Sequence, residues 1–287
     1  MKSPLGLNAE LPVGDMISEA ISLLWQKRAD VLRMFLPAVI ILALIDSAGE
    51  YLVPPEVLSG QLLFILVSMV LSVLFATAAH RFTLLPREQW HKNALHMWKR
   101  EEFSYLLRAL QIGITAAVIF FVVMTALMFV LGQELAPLAA VAGALPALYF
   151  WGRLSITLPE VALGRKTSLS RAWKMSEGNG SRMVLVVIIL PLIFTAPFLL
   201  LYLLDNPLLN YVAAFGSYIT TLISLVMLSL SYRFMLSFYD TEANGSADTI
   251  GAESNLPASE QSDDYDSDDQ HKQNDQNNRP GSGGFDA

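Results

Sequence analysis

Six continuous apolar stretches, each long enough to cross a lipid bilayer, dominate the first 239 residues. A bilayer core about 30 Å thick requires about 20 apolar residues in helical form. The stretches are uniformly apolar rather than alternating, and a helix satisfies its own backbone hydrogen bonds in lipid, so helices are favoured over strands. We therefore predict an all-α, polytopic membrane protein with spans at roughly 32–51, 57–79, 108–132, 135–157, 183–204 and 209–236.

Lysine and arginine are confined to four of the seven segments that flank these spans. All 19 lie before the first span, between the second and third, between the fourth and fifth, or after the sixth, counting those at span edges. Because positively charged loops stay in the cytoplasm, both termini and both long connections are predicted to be cytoplasmic. The other three connections carry acidic residues instead: Asp46, Glu50, Glu56, Glu134 and Asp205.

The formal net charge of −7 comes from the C-terminal segment. Residues 240–287 hold 12 acidic and two basic side chains, whereas residues 1–239 hold 17 basic and 14 acidic ones. We predict a transmembrane domain over 1–239 and a disordered acidic cytoplasmic tail over 240–287, because the tail is polar and poor in large apolar side chains. The tail is either a solubilising extension or an electrostatic latch onto the basic face of the domain or a protein partner.

Three Trp-Lys pairs precede the odd-numbered spans, and the tryptophans are 73 and 75 residues apart. The spacing predicts three parallel hairpin repeats, each preceded by an interfacial helix, with Ser168 capping the third such helix and Gly178 ending it. The pairs either anchor these helices at the membrane surface or form a site for anionic lipid or a protein partner. They are Trp25 with Lys27, Trp98 with Lys99, and Trp173 with Lys174.

Arg153 and Glu160 form a further candidate site near the end of the fourth span. They are seven residues apart, which places them on one face of a continuous helix. An ionisable pair next to a membrane span indicates a gate or a ligand site. Since Arg153 lies near the cytoplasmic boundary, its side chain can instead extend to the surface as a structural anchor.

No pattern in the chain indicates catalysis. There is no cysteine, phosphate-binding loop, GxSxG motif or HExxH motif. His91 and His96 lie in the loop before the third span, where we expect them to face solvent, because a metal site needs more ligands. We therefore expect a protein that is not an enzyme, with no catalytic residue, metal, cofactor or nucleic-acid partner.

The segment RLSITLPEVALGRKTSLSRAWKMSEGN, residues 153–179, resembles uncharacterised bacterial inner-membrane proteins of the YciC type. It is also similar to the membrane domain attached to some glycerophosphoryl diester phosphodiesterases. WKREEFSYLLRAL, residues 98–110, is a second and looser match, and the resemblance covers residues 1–239. It implies a multi-pass protein of the bacterial inner membrane with an unassigned biochemical role. We expect no separate catalytic domain like that of the phosphodiesterases, because the rest of the chain is the predicted disordered tail.

These features favour a protein that organises lipids or protein partners at the cytoplasmic leaflet, because the conspicuous polar features lie on that side. Two alternatives stay open. The proline-containing spans and parallel repeats suit a transporter or lipid-moving protein. The acidic tail suits an accessory subunit that binds a membrane complex.

Overall fold

The computed structural model describes residues 10–54 and 56–253, with side chains described as far as Tyr239. This part of the chain contains ten α-helices and no strand, so the predicted all-α class is confirmed. The helices are α1 (Val13–Gln26), α2 (Arg28–Leu52), α3 (Leu58–Leu84), α4 (Arg100–Leu131), α5 (Ala136–Leu154), α6 (Thr157–Ala162), α7 (Leu169–Met175), α8 (Gly180–Val184), α9 (Leu190–Leu199) and α10 (Pro207–Glu253).

Six helical segments are long and apolar enough to cross a membrane, as predicted. Little of the most apolar part of the third and fifth segments is buried, only 6% in each. Such a surface is unfavourable in water and suits contact with lipid. The segments are Arg28–Leu52, Leu58–Leu84, Arg100–Leu131, Gln133–Ala162, Gly180–Leu204 and Pro207–Tyr239.

The fifth segment is the least regular helix. A π-helical turn at Leu185–Ile189 joins α8 to α9, and a 3₁₀ turn at Leu200–Leu204 ends the segment. Pro191 and Pro197 lie in this segment, and each lacks the N–H that would donate to the carbonyl oxygen four residues earlier. The prolines therefore change the helical pitch without interrupting the segment.

Glycine residues bring α5 close to its neighbours. A Cβ atom on Gly143 would lie 3.0 Å from the Phe120 carbonyl oxygen in α4. A Cβ on Gly152 would lie 3.1 Å from the backbone of Val184 in α8. Small residues at such crossings let two helix backbones pack closely, which is a common device in membrane helices.

One core cluster joins α2, α3 and α10. The Phe35 ring packs edge-on against Phe75 and Phe82, with centroid distances of 5.6 and 5.5 Å. Tyr218 of α10 in turn packs edge-on against Phe75 at 6.2 Å. These aromatic contacts fix the first, second and sixth spans against one another.

Polar contacts gather at both ends of the helices. At the end where α2 and α4 finish and α3 and α5 begin, Asp46 accepts hydrogen bonds from Ser68 (2.7 Å) and Tyr218 (2.5 Å). At the opposite end, where α2 and α4 begin and α3 and α5 finish, the described lysines and arginines gather. We call this the basic end. There the Leu11 N–H donates to Asn179 Oδ1 (2.8 Å), and Arg182 contacts Glu10 (2.5 Å).

Short helices, α1 and α7, precede the first and fifth candidate spans, whereas the residues just before the third candidate span form none. Ser168 caps α7 by accepting the Arg171 N–H (3.1 Å), and Gly178 follows with a φ of 77°, as predicted. Residues 90–99 form an irregular loop, so the second interfacial helix was wrongly predicted. The Ala94 N–H donates to the Met34 carbonyl oxygen of α2 (3.1 Å) instead of to a carbonyl within its own segment.

The predicted tail is described only in part. The backbone of α10 continues as a helix to Glu253. Residues 254–287, which hold most of the predicted acidic tail, lie outside the described residues, so its disorder stays a prediction.

Candidate functional site at the basic end

A buried ion pair joins α3 to the first turn of α4. Arg81 Nη1 lies 3.1 Å from Glu102 Oε1, and the Glu102 side chain is fully buried. The Arg81 Nε–H donates to the carbonyl oxygen of Ala162 at the end of α6 (2.8 Å). Glu102 Oε2 accepts the backbone N–H of Lys99 (2.9 Å) at the start of α4, which is the carboxylate half of a capping box. The Glu102 carboxylate thus both stabilises the first turn of α4 and joins α4 to α3 through Arg81.

Two loop histidines bind to this ion pair. His96 Nε2 donates to Glu102 Oε1 (3.0 Å), because a carboxylate only accepts, and Arg81 donates to His91 Nε2 (2.8 Å). The two imidazole rings stack at 3.8 Å. Burial, together with the charges of His96, Arg81 and Lys99, lowers the pKa of His91 to about 4, and Glu102 opposes this shift. The prediction that both histidines face solvent is therefore wrong.

Arg153 is held by aromatic rings and neutral oxygens. Its guanidinium carbon lies 3.5 Å from the ring centroid of Trp173 and 5.7 Å from that of Tyr149. Its Nε–H donates to Ser176 Oγ (2.9 Å), and an Nη donates to the Trp173 carbonyl oxygen. The residue is only 6% exposed, and no carboxylate among the described residues lies within 4 Å of it. Arg153 therefore fastens α7 to α5.

Glu160 pairs with Arg171 rather than with Arg153. Its Oε1 lies 3.3 Å from Arg171 Nε, and the Glu160 side chain is buried. The α-helical hydrogen bonding is interrupted at Ser155 and Ile156, between α5 and α6, although both residues keep right-handed helical backbone angles. The predicted pair on one continuous helical face is thus replaced by two separate contacts.

The first Trp-Lys pair is split by the fold. Trp25 is 71% exposed at the end of α1, and its ring packs against the Arg28 guanidinium at 5.6 Å. Lys27 points elsewhere, with its Nζ 4.7 Å from the ring centroid of Trp90. An exposed indole next to a cation suits the boundary between headgroups and acyl chains.

The second and third pairs have tryptophans that pack inward. Trp98 is half-buried against a small cluster that includes Tyr105, and Trp173 stacks on Phe150 at 4.8 Å. Lys99 and Lys174 are exposed. The three pairs belong to different contact clusters, so they form three places at the basic end rather than one site.

Sequence reasoning missed the Arg81–Glu102 pair. The usual capping-box signal is missing, because the residue three positions before Glu102 is Lys99, whose ammonium cannot accept a hydrogen bond. No local signal identifies Arg81 as the partner, because the contact joins different helices.

Among the residues that the structure describes, no group of three His, Asp or Glu side chains is placed to hold a metal ion. Comparisons with protein-family models, with curated proteins and with solved structures gave no match. The resemblance to the YciC type therefore stays a prediction from the sequence.

Proposed function

We propose that this chain is a non-enzymatic, multi-pass protein of the bacterial inner membrane that organises anionic lipids or protein partners at the cytoplasmic leaflet. In this proposal both termini and the two long connections are cytoplasmic. The six spans run as three hairpins of the same orientation.

The supporting observation is an excess of cations without acidic partners. Five of the sixteen described lysines and arginines contact a carboxylate within 4 Å. The other eleven have no such partner among the described residues. Cationic side chains near a membrane attract anionic lipid by about 1 kcal/mol each, so these cations, apart from the buried Arg153, can attract acidic headgroups to the basic end.

The fold places these cations beside apolar surface. Exposed Leu107 and Ile114 on α4 lie along the helix from Arg100 and Arg108. A surface that is apolar along the span and cationic at its end matches the two parts of an anionic phospholipid. Trp25 and Arg28 supply the same combination at the end of α1.

Lipid analysis of the full-length protein in native membrane particles tests the proposal. Particles extracted with styrene–maleic acid should contain more phosphatidylglycerol and cardiolipin, relative to phosphatidylethanolamine, than the bulk membrane. Neutralising Lys27, Lys99 and Lys174 together with glutamine should reduce the enrichment. A lipid composition equal to the bulk membrane would overturn lipid organisation as the function.

A further inference from the structure

A cleft of about 710 Å³ lies between the start of α4 and the connection from α6 to α7. Gly164 ends α6 with a φ of 73°, which turns the chain so that the connection runs alongside α4. The Arg108 Nη2 donates to the Thr167 carbonyl oxygen (2.7 Å) and fastens the connection to the helix. The polar lining comprises Arg100, Ser104 and Arg108 from α4, and Arg165, Lys166 and Thr167 from the connection.

The cleft carries four cations and one acid. Glu101 also lines it and opposes the positive charge, which leaves a formal charge of +3. No carboxylate among the described residues lies within 4 Å of the four cations. The nearby Glu102 carboxylate is occupied by Arg81 and His96. The backbone N–H groups in the first turn of α4 add further positive potential to that of the side chains.

The length of α4 places the cleft at headgroup depth. Arg108 lies about 12 Å along the helix from Arg100, at 1.5 Å per residue. The stretch from Arg108 to Leu131 measures about 34 Å, enough to cross a hydrocarbon core of about 30 Å. The cleft therefore begins where the hydrocarbon ends.

The lipid-facing side of α4 borders the cleft. Helical periodicity puts Arg100, Ser104 and Arg108 on one face, next to an exposed apolar stripe on the side away from the protein core. That stripe consists of Phe103, Leu107, Leu110 and Ile114. A phosphate in the cleft would thus have its acyl chains on the part of the stripe beyond Arg108, at Leu110 and Ile114.

We propose that this cleft binds the phosphate of an anionic glycerophospholipid through Arg100, Arg165 and Lys166, while the acyl chains lie along the apolar stripe of α4. Arg108 positions the connection that carries two of these residues. The assignment rests on the proposed function and narrows it to one site and one ligand class.

Native mass spectrometry of the full-length protein, titrated with phosphatidylglycerol or phosphatidylcholine, tests the site. Arg165→Gln/Lys166→Gln should weaken the tightest phosphatidylglycerol binding by about fivefold per removed charge and leave phosphatidylcholine binding unchanged. Arg100→Gln, which alters an exposed side chain on the other wall, should weaken it about fivefold with an unchanged melting temperature. The matched control Arg87→Gln/Lys92→Gln removes two cations from the other basic loop and should change it less than twofold.

The outcomes separate the site from the function. If the unmodified protein shows no preference for phosphatidylglycerol, the proposed function fails. If the preference exists and both cleft variants retain it in full, only the cleft assignment fails. If glycerol 3-phosphate displaces phosphatidylglycerol when the two are present at equal concentration, the cleft takes a soluble phosphate ester and the lipid assignment is overturned.

Discussion

The guanidinium of Arg153 stacks on the indole ring of Trp173, twenty positions further along the chain, at 3.5 Å from the ring centroid. The same guanidinium donates to the Trp173 carbonyl oxygen and to Ser176 Oγ. The Trp173 ring, the Trp173 carbonyl oxygen and the Ser176 hydroxyl together replace the water that would otherwise surround the Arg153 cation. The contact holds α7 against the C-terminal end of α5.

Arg153→Met should lower the free energy of unfolding by about 2–4 kcal/mol, because it leaves the Trp173 carbonyl oxygen and the Ser176 hydroxyl without this donor and removes the cation–π contact. Arg153→Lys should recover only part of the loss, since an ammonium lacks the planar fork. Thermal and denaturant unfolding in detergent measure both. The neighbouring exposed Lys174→Met is the control and should have little effect; equal losses in both variants would contradict this role for Arg153.

The buried Arg81–Glu102 pair predicts a strongly non-additive result. Glu102→Gln should cost about 3–5 kcal/mol of unfolding free energy, because the buried Arg81 loses its counter-charge. The double variant Arg81→Met/Glu102→Gln should lose less unfolding free energy than the sum of the losses in Arg81→Met and Glu102→Gln, as a double-mutant cycle would show.

An exposed ion pair provides the control for this cycle. Arg87 contacts Asp30 at 2.6 Å on the surface of the same basic end. Asp30→Asn should cost less than about 1 kcal/mol, since exposed pairs contribute little. Additive single and double losses at Arg81 and Glu102 would show that the pair is not coupled.

The spans could be predicted because hydropathy is a local property. Twenty apolar residues in succession have few stable alternatives in lipid, whatever the rest of the chain does. Helix α4 begins at Arg100, eight residues before the span predicted from 108, because the charged side chains at 100–102 and 108 weaken the hydropathy signal there.

The site contacts were harder to predict because they join different elements. Spacing aligned Arg153 with Glu160, but Ser155 and Ile156 interrupt the hydrogen bonding between α5 and α6, and each of the two charged side chains has its partner on α7. The interfacial helix expected before the third span is replaced by a loop, residues 90–99, whose His96 side chain and Lys99 N–H bind the buried Glu102 carboxylate. The hydrogen bonds that the loop makes to the buried Glu102 carboxylate thus outweigh the helical periodicity of the residues around Trp98.

His91 predicts a loss of stability in mild acid. The folded protein holds His91 neutral down to about pH 4, whereas the unfolded chain takes up its proton near pH 6.5. The unfolded state binds more protons between these values, so the free energy of unfolding decreases as pH falls from 6.5 to 4. His91→Gln keeps an acceptor for Arg81 and should show a shallower decrease when melting temperature is measured against pH. Parallel curves for both proteins would exclude this role for His91.

The α4–α5 crossing should tolerate no side chain at Gly143. Gly143→Val places methyl groups against the Phe120 carbonyl and Met124, where a Cβ alone would already lie 3.0 Å and 3.2 Å from backbone atoms. We expect a loss of about 1–3 kcal/mol from overpacking. Gly14→Ala in α1 meets nothing within 4 Å and should be neutral or stabilising by up to about 1 kcal/mol. Melting temperatures of the two variants distinguish a packing requirement from a general intolerance of substitution.

The proposed orientation predicts which single cysteines react from each side of the membrane. The chain has no cysteine of its own, so introduced thiols give no background labelling. Lys92→Cys and Ser170→Cys, at exposed positions in the two long connections, should react with a membrane-impermeant maleimide only in inside-out vesicles. Glu56→Cys and Glu134→Cys should react in intact spheroplasts. The reason is that moving the cations of either long connection across the hydrocarbon is strongly unfavourable. Labelling of Lys92→Cys or Ser170→Cys from outside would reverse the orientation and move the basic cleft to the opposite leaflet.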